Sequence, residues 1–415
     1  MRLRMAGTAT EMQITQFRAA FASPGSRPAR LGPEALQERR LCLQSFARKT
    51  GRTVLLWSLS LGAILILVSV LKLPGRGGPK PFLDEGGRPL RGSISEKAFV
   101  GINGARQGMF IQSKDAVNPV LLCLHGGMPE YFLTERYPTG LENDFTVVWW
   151  EQRGAGLSYS PDIPPQTMTL EQFIADTLSV TNYLRNRFSK EKVYLMAHSG
   201  GTFIGLQAVT RAPELYYAYV GVAQVVHQLK SERLAYEYML GRFKEAGNNR
   251  MVRKLEAAPV TMTAGTPGPY LAVRDRAMHG LGIGTTHDMK SVLSGVFWPS
   301  LRSPQYTLGE KIKMWRGKLS SGVSVLWDEM LATDLAERVT ELALPAYFFH
   351  GIYDYTVNYR LAKDVFERLK APLKGFYTFN QSAHSPVLEE PEKARKIMRE
   401  DVLARTNSLA DRPRR

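Results

Sequence analysis

The chain has 415 residues, 44% of them hydrophobic and 22% charged, enough for a sizeable core built as one large domain with an insertion or as two domains. Two cysteines in unlike contexts, Cys42 and Cys123, exclude a disulfide framework and a cysteine metal site, and Cys123 reads as a buried core thiol. The net charge of +16 raises nucleic acid and anionic membrane as partners, but no basic stripe interleaved with aromatics and no zinc-finger or RNA-binding signature occurs, which argues against nucleic acid.

The charge gathers at the start. Residues 1–52 hold ten Lys/Arg against three Glu, a surplus of seven, leaving nine over the other 363 residues. Rich in Arg, Ala and Pro, this segment reads as a disordered basic tail. Residues 53–71, TVLLWSLSLGAILILVSVL, carry no charge. As a helix they would span about 28 Å, close to the roughly 30 Å of bilayer hydrocarbon, and they predict a transmembrane helix. The basic excess before the span puts the N-terminus in the cytoplasm and the remainder outside. A signal peptide is the alternative; its basic region would be unusually long, and no A-x-A cleavage site precedes the linker. Residues 72–93, beginning KLPGRGGPKP, read as that linker.

From residue 94 the pattern is globular. KAFVGINGARQGMFIQ predicts two strands joined by the turn NGARQG. NPVLLCLHGG and DFTVVWWEQRG predict buried strands, and TLEQFIADTLSVTNYLRNRF a helix with Thr169 as its N-cap. KVYLMAHS, GGTFIGLQAVTRA and YYAYVGVAQVV continue as strand, helix and strand. Residues 227–342 break the alternation with Gly/Pro-punctuated amphipathic helices, the pattern of an inserted lid between core segments 94–226 and 343–408. The strand LPAYFFHG, the helix YRLAKDVFERLK, the strand KGFYTFNQ and the helix EEPEKARKIMREDVLA complete the chain. Strand–helix alternation predicts an α/β fold, with a mostly parallel sheet covered by helices on both faces.

In such a sheet functional groups gather at the carboxyl ends of strands. Ser199 follows one strand, flanked two residues away by Ala197 and Gly201. Small residues there let a strand-to-helix turn project a serine, although the same pattern also describes a helix N-cap. Asp354, in FFHGIYDYTV, and His384, in FNQSAHSPV, each follow a further strand. Singly they suit a turn aspartate and a loop histidine. Together they supply a hydroxyl, the imidazole that must take its proton, and the carboxylate that fixes the imidazole tautomer. The order Ser…Asp…His is that of α/β-hydrolases. HGGMPE follows an earlier strand, so the N–H of Gly127, or of Met128, can join that of Gly200 as an oxyanion donor.

LHGG, WWEQRGAGLS, AHSGG, HGIYD and SAHSP resemble the proline iminopeptidase-like branch of the α/β-hydrolase superfamily, over roughly residues 95–405. EQRGAGLS at 151–158 is similar to that branch's D-Q-R-G-x-G-x-S. The resemblance implies a helical cap, a serine nucleophile, no cofactor and release of an N-terminal residue, with Ser199, Asp354 and His384 as triad and Gly127 and Gly200 as oxyanion donors. Met128 and Pro129 depart from the branch's H-G-G-P-G, Ala-His-Ser-Gly-Gly from its G-G-S-W-G, and Glu151 from its Asp.

An aminopeptidase must hold a substrate ammonium, for which carboxylates early in the lid, Glu232, Glu237 and Glu245, are candidates; solvated helix faces explain them equally. Arg153 and His198 are expected to tie loops together near the site. No P-loop, dinucleotide fingerprint or zinc-spaced histidine pair occurs, so no metal or cofactor is expected. The reading is a membrane-anchored serine hydrolase acting on an aminoacyl amide or short peptide. A carboxylesterase is the alternative, and a catalytically silent receptor using the same pocket is a third class.

Overall fold

The computed structural model describes residues 53–62, 64, 77–320 and 323–412. Of the expected span 53–71, residues 53–62 are helical, and 53–61 have exposed side chains. The tail 1–52 and residues 65–71 lie outside the described residues. No helix among the described residues is long and apolar enough to cross a membrane.

Eight strands form one sheet in the order β1-β2-β4-β3-β5-β6-β7-β8. They are β1 (Ile94–Ile102), β2 (Ala105–Ser113), β3 (Val120–Leu124), β4 (Thr146–Glu151), β5 (Val193–His198), β6 (Tyr216–Val222), β7 (Ala346–Gly351) and β8 (Lys374–Phe379). β2 is antiparallel to both β1 and β4, and every other pair is parallel. The β1–β2 turn is shorter than the expected NGARQG. Only Asn103 and Gly104 turn, both at positive φ (44° and 78°), and a two-residue turn of that hand matches the twist of the strands it joins.

The helices in chain order are α1 (Leu170–Arg187), α2 (Gly200–Arg211), α3 (Gln228–Glu245), α4 (Asn249–Glu256), α5 (Gly268–Gly280), α6 (Trp298–Arg302), α7 (Leu308–Ser320), α8 (Val323–Ala332), α9 (Leu335–Arg338), α10 (Tyr359–Arg368), α11 (Pro386–Glu389) and α12 (Pro391–Ile397). Thr169 caps α1, its side chain accepting from the Gln172 N–H. The single helix expected over EEPEKARKIMREDVLA is broken. Pro391 lacks an N–H to donate back into α11, so it starts α12 instead, and Met398–Val402 follows as one wider π-type turn.

Strand alternation divides the core. Leu122, Leu195 and Phe348 pack with Phe173 of α1, Phe203 of α2 and Phe366 of α10 on one face. Cys123, Met196 and Phe349 pack with Ala394 and Ile397 of α12 on the other. Both faces are therefore dry, as the continuous apolar strands require. Helices α3–α9 lie between β6 and β7 in the chain, and the first three of them share a core of their own around Tyr236, Met239, Phe243, Leu255 and Tyr270.

The EQRG segment is structural. Arg153 makes two hydrogen bonds of 2.7 and 2.9 Å to Asp176 of α1 and one of 2.9 Å to the Asn103 carbonyl. Gln152 donates to the His125 carbonyl at 2.7 Å, which fixes the base of the HGG loop. Glu151 accepts from the Leu157 N–H and the Tyr306 hydroxyl.

Candidate active site

β5 ends at His198, α2 begins at Gly200, and Ser199 turns the chain between them at φ 54°, ψ −128°. That conformation is costly for a residue with a Cβ and persists only where the surroundings impose it. Ser199 N–H is held by the Val222 carbonyl at 2.9 Å. A Cβ on Gly201 would come within 2.5 Å of the His125 oxygen and 2.7 Å of the Leu124 oxygen, and one on Gly205 within 2.9 Å of the Ala197 Cβ. A Cβ on Gly126, across the site, would lie 2.7 Å from the Ser199 Cβ. The small residues around Ser199 are thus required by close backbone approach, and the serine hydroxyl is left at the rim of the sheet.

The structure brings the three expected residues together. His384, in the loop after β8, places Nε2 2.7 Å from Ser199 Oγ and Nδ1 2.9 Å from Asp354 Oδ2. Asp354 follows β7, and its Oδ1 accepts from the Val357 N–H at 2.9 Å. Burial alone would raise the Asp354 pKa; His384 and His350 beside it hold the carboxyl below its ordinary value. An ionised Asp354 can only accept, so the proton of neutral His384 sits on Nδ1 and Nε2 is free to accept from the serine hydroxyl. Burial lowers the His384 pKa, Asp354 opposes this, and nearby His198 pushes it down again.

His198, expected to tie loops together near the site, bridges two of them, and its partner Glu130 and the more distant Glu389 were not legible beforehand. His198 Nδ1 meets Glu130 Oε1 at 2.5 Å, and its Nε2 meets the His384 carbonyl oxygen at 2.7 Å. The His384 carbonyl can only accept, so Nε2 donates, and a protonated Nδ1 would satisfy the Glu130 carboxylate as well. Burial would lower its pKa, but Glu130 outweighs that and raises it. Glu389 clamps the other side of the loop. Its carboxylate accepts from the N–H groups of Ala383 and Ser385 at 3.0 and 3.2 Å and from the N–H of His287 in the lid at 2.5 Å. Burial pushes its pKa up to about 7 against those three donors.

Ser199 and His384 open on a cavity of about 220 Å³ that Gly127, Met128 and Gly200 also line. Gly200 is the first residue of α2, where a backbone N–H has no acceptor within the helix. The lid contributes Gln228, Arg274, Asp275, Lys318, Trp327 and Met330. The three lid glutamates are placed differently from one another. Glu232 is fully buried and held by Arg274, Tyr270 and Gln228. Glu237 and Glu245 are 56% and 66% exposed, paired along α3 with Arg233 and Arg242, and neither lines the cavity. The carboxylates that do line it are Glu130 and Asp275.

The arrangement is a nucleophile, a base and an orienting acid beside backbone donors, which suits acyl transfer. The family described as Serine aminopeptidase, S33 matches residues 116–262. Probable aminopeptidase YbaC of Bacillus subtilis (strain 168) is 32% identical over 310 residues, which cover 73% of this chain and 95% of that protein. The solved proline iminopeptidase of Mycobacterium smegmatis is 15% identical with a TM-score of 0.52, covering 74% of this chain and 98% of its own. At that identity the likeness is one of fold.

Proposed function

The chain belongs to the serine aminopeptidase family of α/β-hydrolases and is a hydrolase, and on that premise we propose that it releases the N-terminal residue of short peptides through an acyl-enzyme. The observation that carries this reading is the relay from Asp354 through His384 to Ser199, with links of 2.9 and 2.7 Å, at a cavity that residues of the helical lid help to line.

Ser199 Oγ attacks the acyl carbon while His384 Nε2 takes the hydroxyl proton. The Gly200 N–H, with that of Gly127 or Met128, holds the oxygen that becomes negative. His384 returns the proton to the leaving amine, whose bond to the acyl carbon breaks. A water molecule then attacks the acyl-enzyme, again losing its proton to His384, and the carboxylic acid and Ser199 are released. No cofactor enters these steps.

The pH profile follows from the base. His384 acts only when neutral, and its pKa lies below the ordinary 6.5, so it stays neutral to lower pH than a free imidazole. The acid limb of kcat/KM is therefore expected below pH 6.5; a limb at or above that value would contradict this placing of His384.

Substrate preference is tested by comparing prolyl and alanyl arylamides with short p-nitrophenyl esters, using Ser199→Ala as control. Arylamide cleavage that depends on Ser199 is expected. Cleavage of esters alone would leave a serine hydrolase that is an esterase.

The uncharged run 53–71 and the basic excess before it support a single-pass anchor with the catalytic domain outside. Protease added to intact cells should then digest the catalytic domain, and protection of that domain would reverse the topology.

A further inference from the structure

His198 stands directly before the nucleophile, yet the reaction steps give it no part. Its side chain is 13% exposed, and both ring nitrogens are taken. Nε2 donates to the His384 carbonyl at 2.7 Å, and Nδ1 meets Glu130 Oε1 at 2.5 Å. Neither nitrogen is left for a substrate or for the serine proton. The ring lies beside that of His384, with centroids 4.9 Å apart. What His198 does for the reaction, it does through the two groups it holds.

Those groups belong to the other two parts of the machinery. The first is the backbone of the base. Glu389 holds the N–H groups on either side of His384, those of Ala383 and Ser385. The N–H of His384 itself reaches the Gly284 carbonyl of the lid at 3.3 Å. The bond from His198 to the His384 carbonyl is shorter than any of these and meets the catalytic residue's own peptide.

The second group closes the oxyanion loop. Glu130 lies three residues beyond Gly127. The other end of the loop is fixed at His125, whose Nε2 accepts from the Gln152 N–H at 3.1 Å and whose carbonyl accepts from the Gln152 amide at 2.7 Å. A Cβ on Gly127 would meet nothing within 4 Å, so this donor is placed by the chain on either side of it. One anchor of that chain is Gln152, and the other is His198.

We propose that His198, held by Glu130, is a positioning residue that aligns the oxyanion donors and the base on Ser199, because one imidazole ties the end of the oxyanion loop to the backbone of the catalytic histidine. This rests on the acyl-transfer reading above and not on the choice between peptide and ester. A misplacement of about 1 Å at a reacting group costs on the order of 10²-fold in rate.

The test measures the rate at which a fluorophosphonate labels Ser199 in the full chain. It also measures kcat and KM on whichever of the alanyl arylamide and the p-nitrophenyl ester is turned over. His198→Leu removes both bonds, and the labelling rate and kcat should fall roughly 10–100-fold with KM within about twofold of wild type. His198→Gln carries an NH₂ as many bonds from the backbone as the imidazole Nε2, keeps a donor for the His384 carbonyl, and should recover most of the loss. His198→Leu also leaves the Glu130 carboxylate without its partner, so the double variant with Glu130→Leu is compared. As two ends of one bridge, the pair should cost no more than the larger single loss. The final extent of labelling counts the folded protein, so a folding defect lowers the extent and not the rate. Equal losses in His198→Leu and His198→Gln, losses confined to KM, or a double loss equal to the product of the single ones would overturn the proposal. Unchanged rates in His198→Leu would overturn it alone, whereas a folded wild-type chain that takes no label would overturn the acyl-transfer reading as well.

Discussion

Ser199→Ala is expected to lower turnover by roughly 10⁴–10⁶-fold while leaving the fold intact. The substitution deletes one atom, Oγ, whose protein contact is His384 Nε2 at 2.7 Å. The strained turn does not depend on that atom. It depends on the Val222 carbonyl holding the Ser199 N–H at 2.9 Å and on the absence of Cβ atoms at Gly126, Gly201 and Gly205. Alanine has the same backbone restrictions as serine, so the melting temperature should change little. What remains is a site with oxyanion donors and a base but no nucleophile, which sets the residual rate. Equal melting curves with near wild-type turnover would remove Ser199 from the reaction.

Asp354→Asn is expected to cost about 10⁴-fold in kcat with a small change in KM. Asp354 serves two donors, the Val357 N–H through Oδ1 and His384 Nδ1 through Oδ2, each at 2.9 Å. Asparagine has one acceptor oxygen. If that oxygen stays with Val357, its NH₂ faces His384 Nδ1, which must then become the acceptor. The imidazole proton moves to Nε2, the atom that has to take the Ser199 proton, and the base is blocked by its own tautomer. The carboxylate also faces His350, whose Nε2 is 3.3 Å from Oδ2, so the substitution removes the charge that holds both imidazoles. A loss confined to KM would mean that Asp354 shapes the pocket and not the base.

Much of this site was readable because its requirements are local. Ser199 needs small residues two positions away on either side, and Ala197 and Gly201 stand there in the sequence. Asp354 and His384 follow apolar runs that become β7 and β8, and a parallel sheet brings the carboxyl ends of its strands together. The failures are also instructive. Asn103 and Gly104 form the whole β1–β2 turn because both accept positive φ, and Pro391 divides a helix whose apolar spacing runs on across it. Glu237 and Glu245 share the composition of a binding helix but face solvent.

What could not be read depends on contacts between distant parts of the chain. Glu130 meets His198 across 68 residues, and Thr356 fixes the Gln228 amide across 128. Arg274 neutralises Glu232 from another lid helix, so a carboxylate that seemed available for substrate is already engaged. Such pairings arise from how distant loops and lid helices meet in the fold, and periodicity within one element carries no trace of them.

The most direct measurement is reaction of the full chain with a fluorophosphonate, followed by mass spectrometry of its peptides. The reagent requires a serine activated by a neighbouring base. A single adduct on the peptide carrying Ser199, lost in Ser199→Ala and strongly slowed in Asp354→Asn, is the predicted result. A folded chain that takes no label, or takes it at another serine, would contradict the assignment and favour a receptor that uses the same cavity without chemistry.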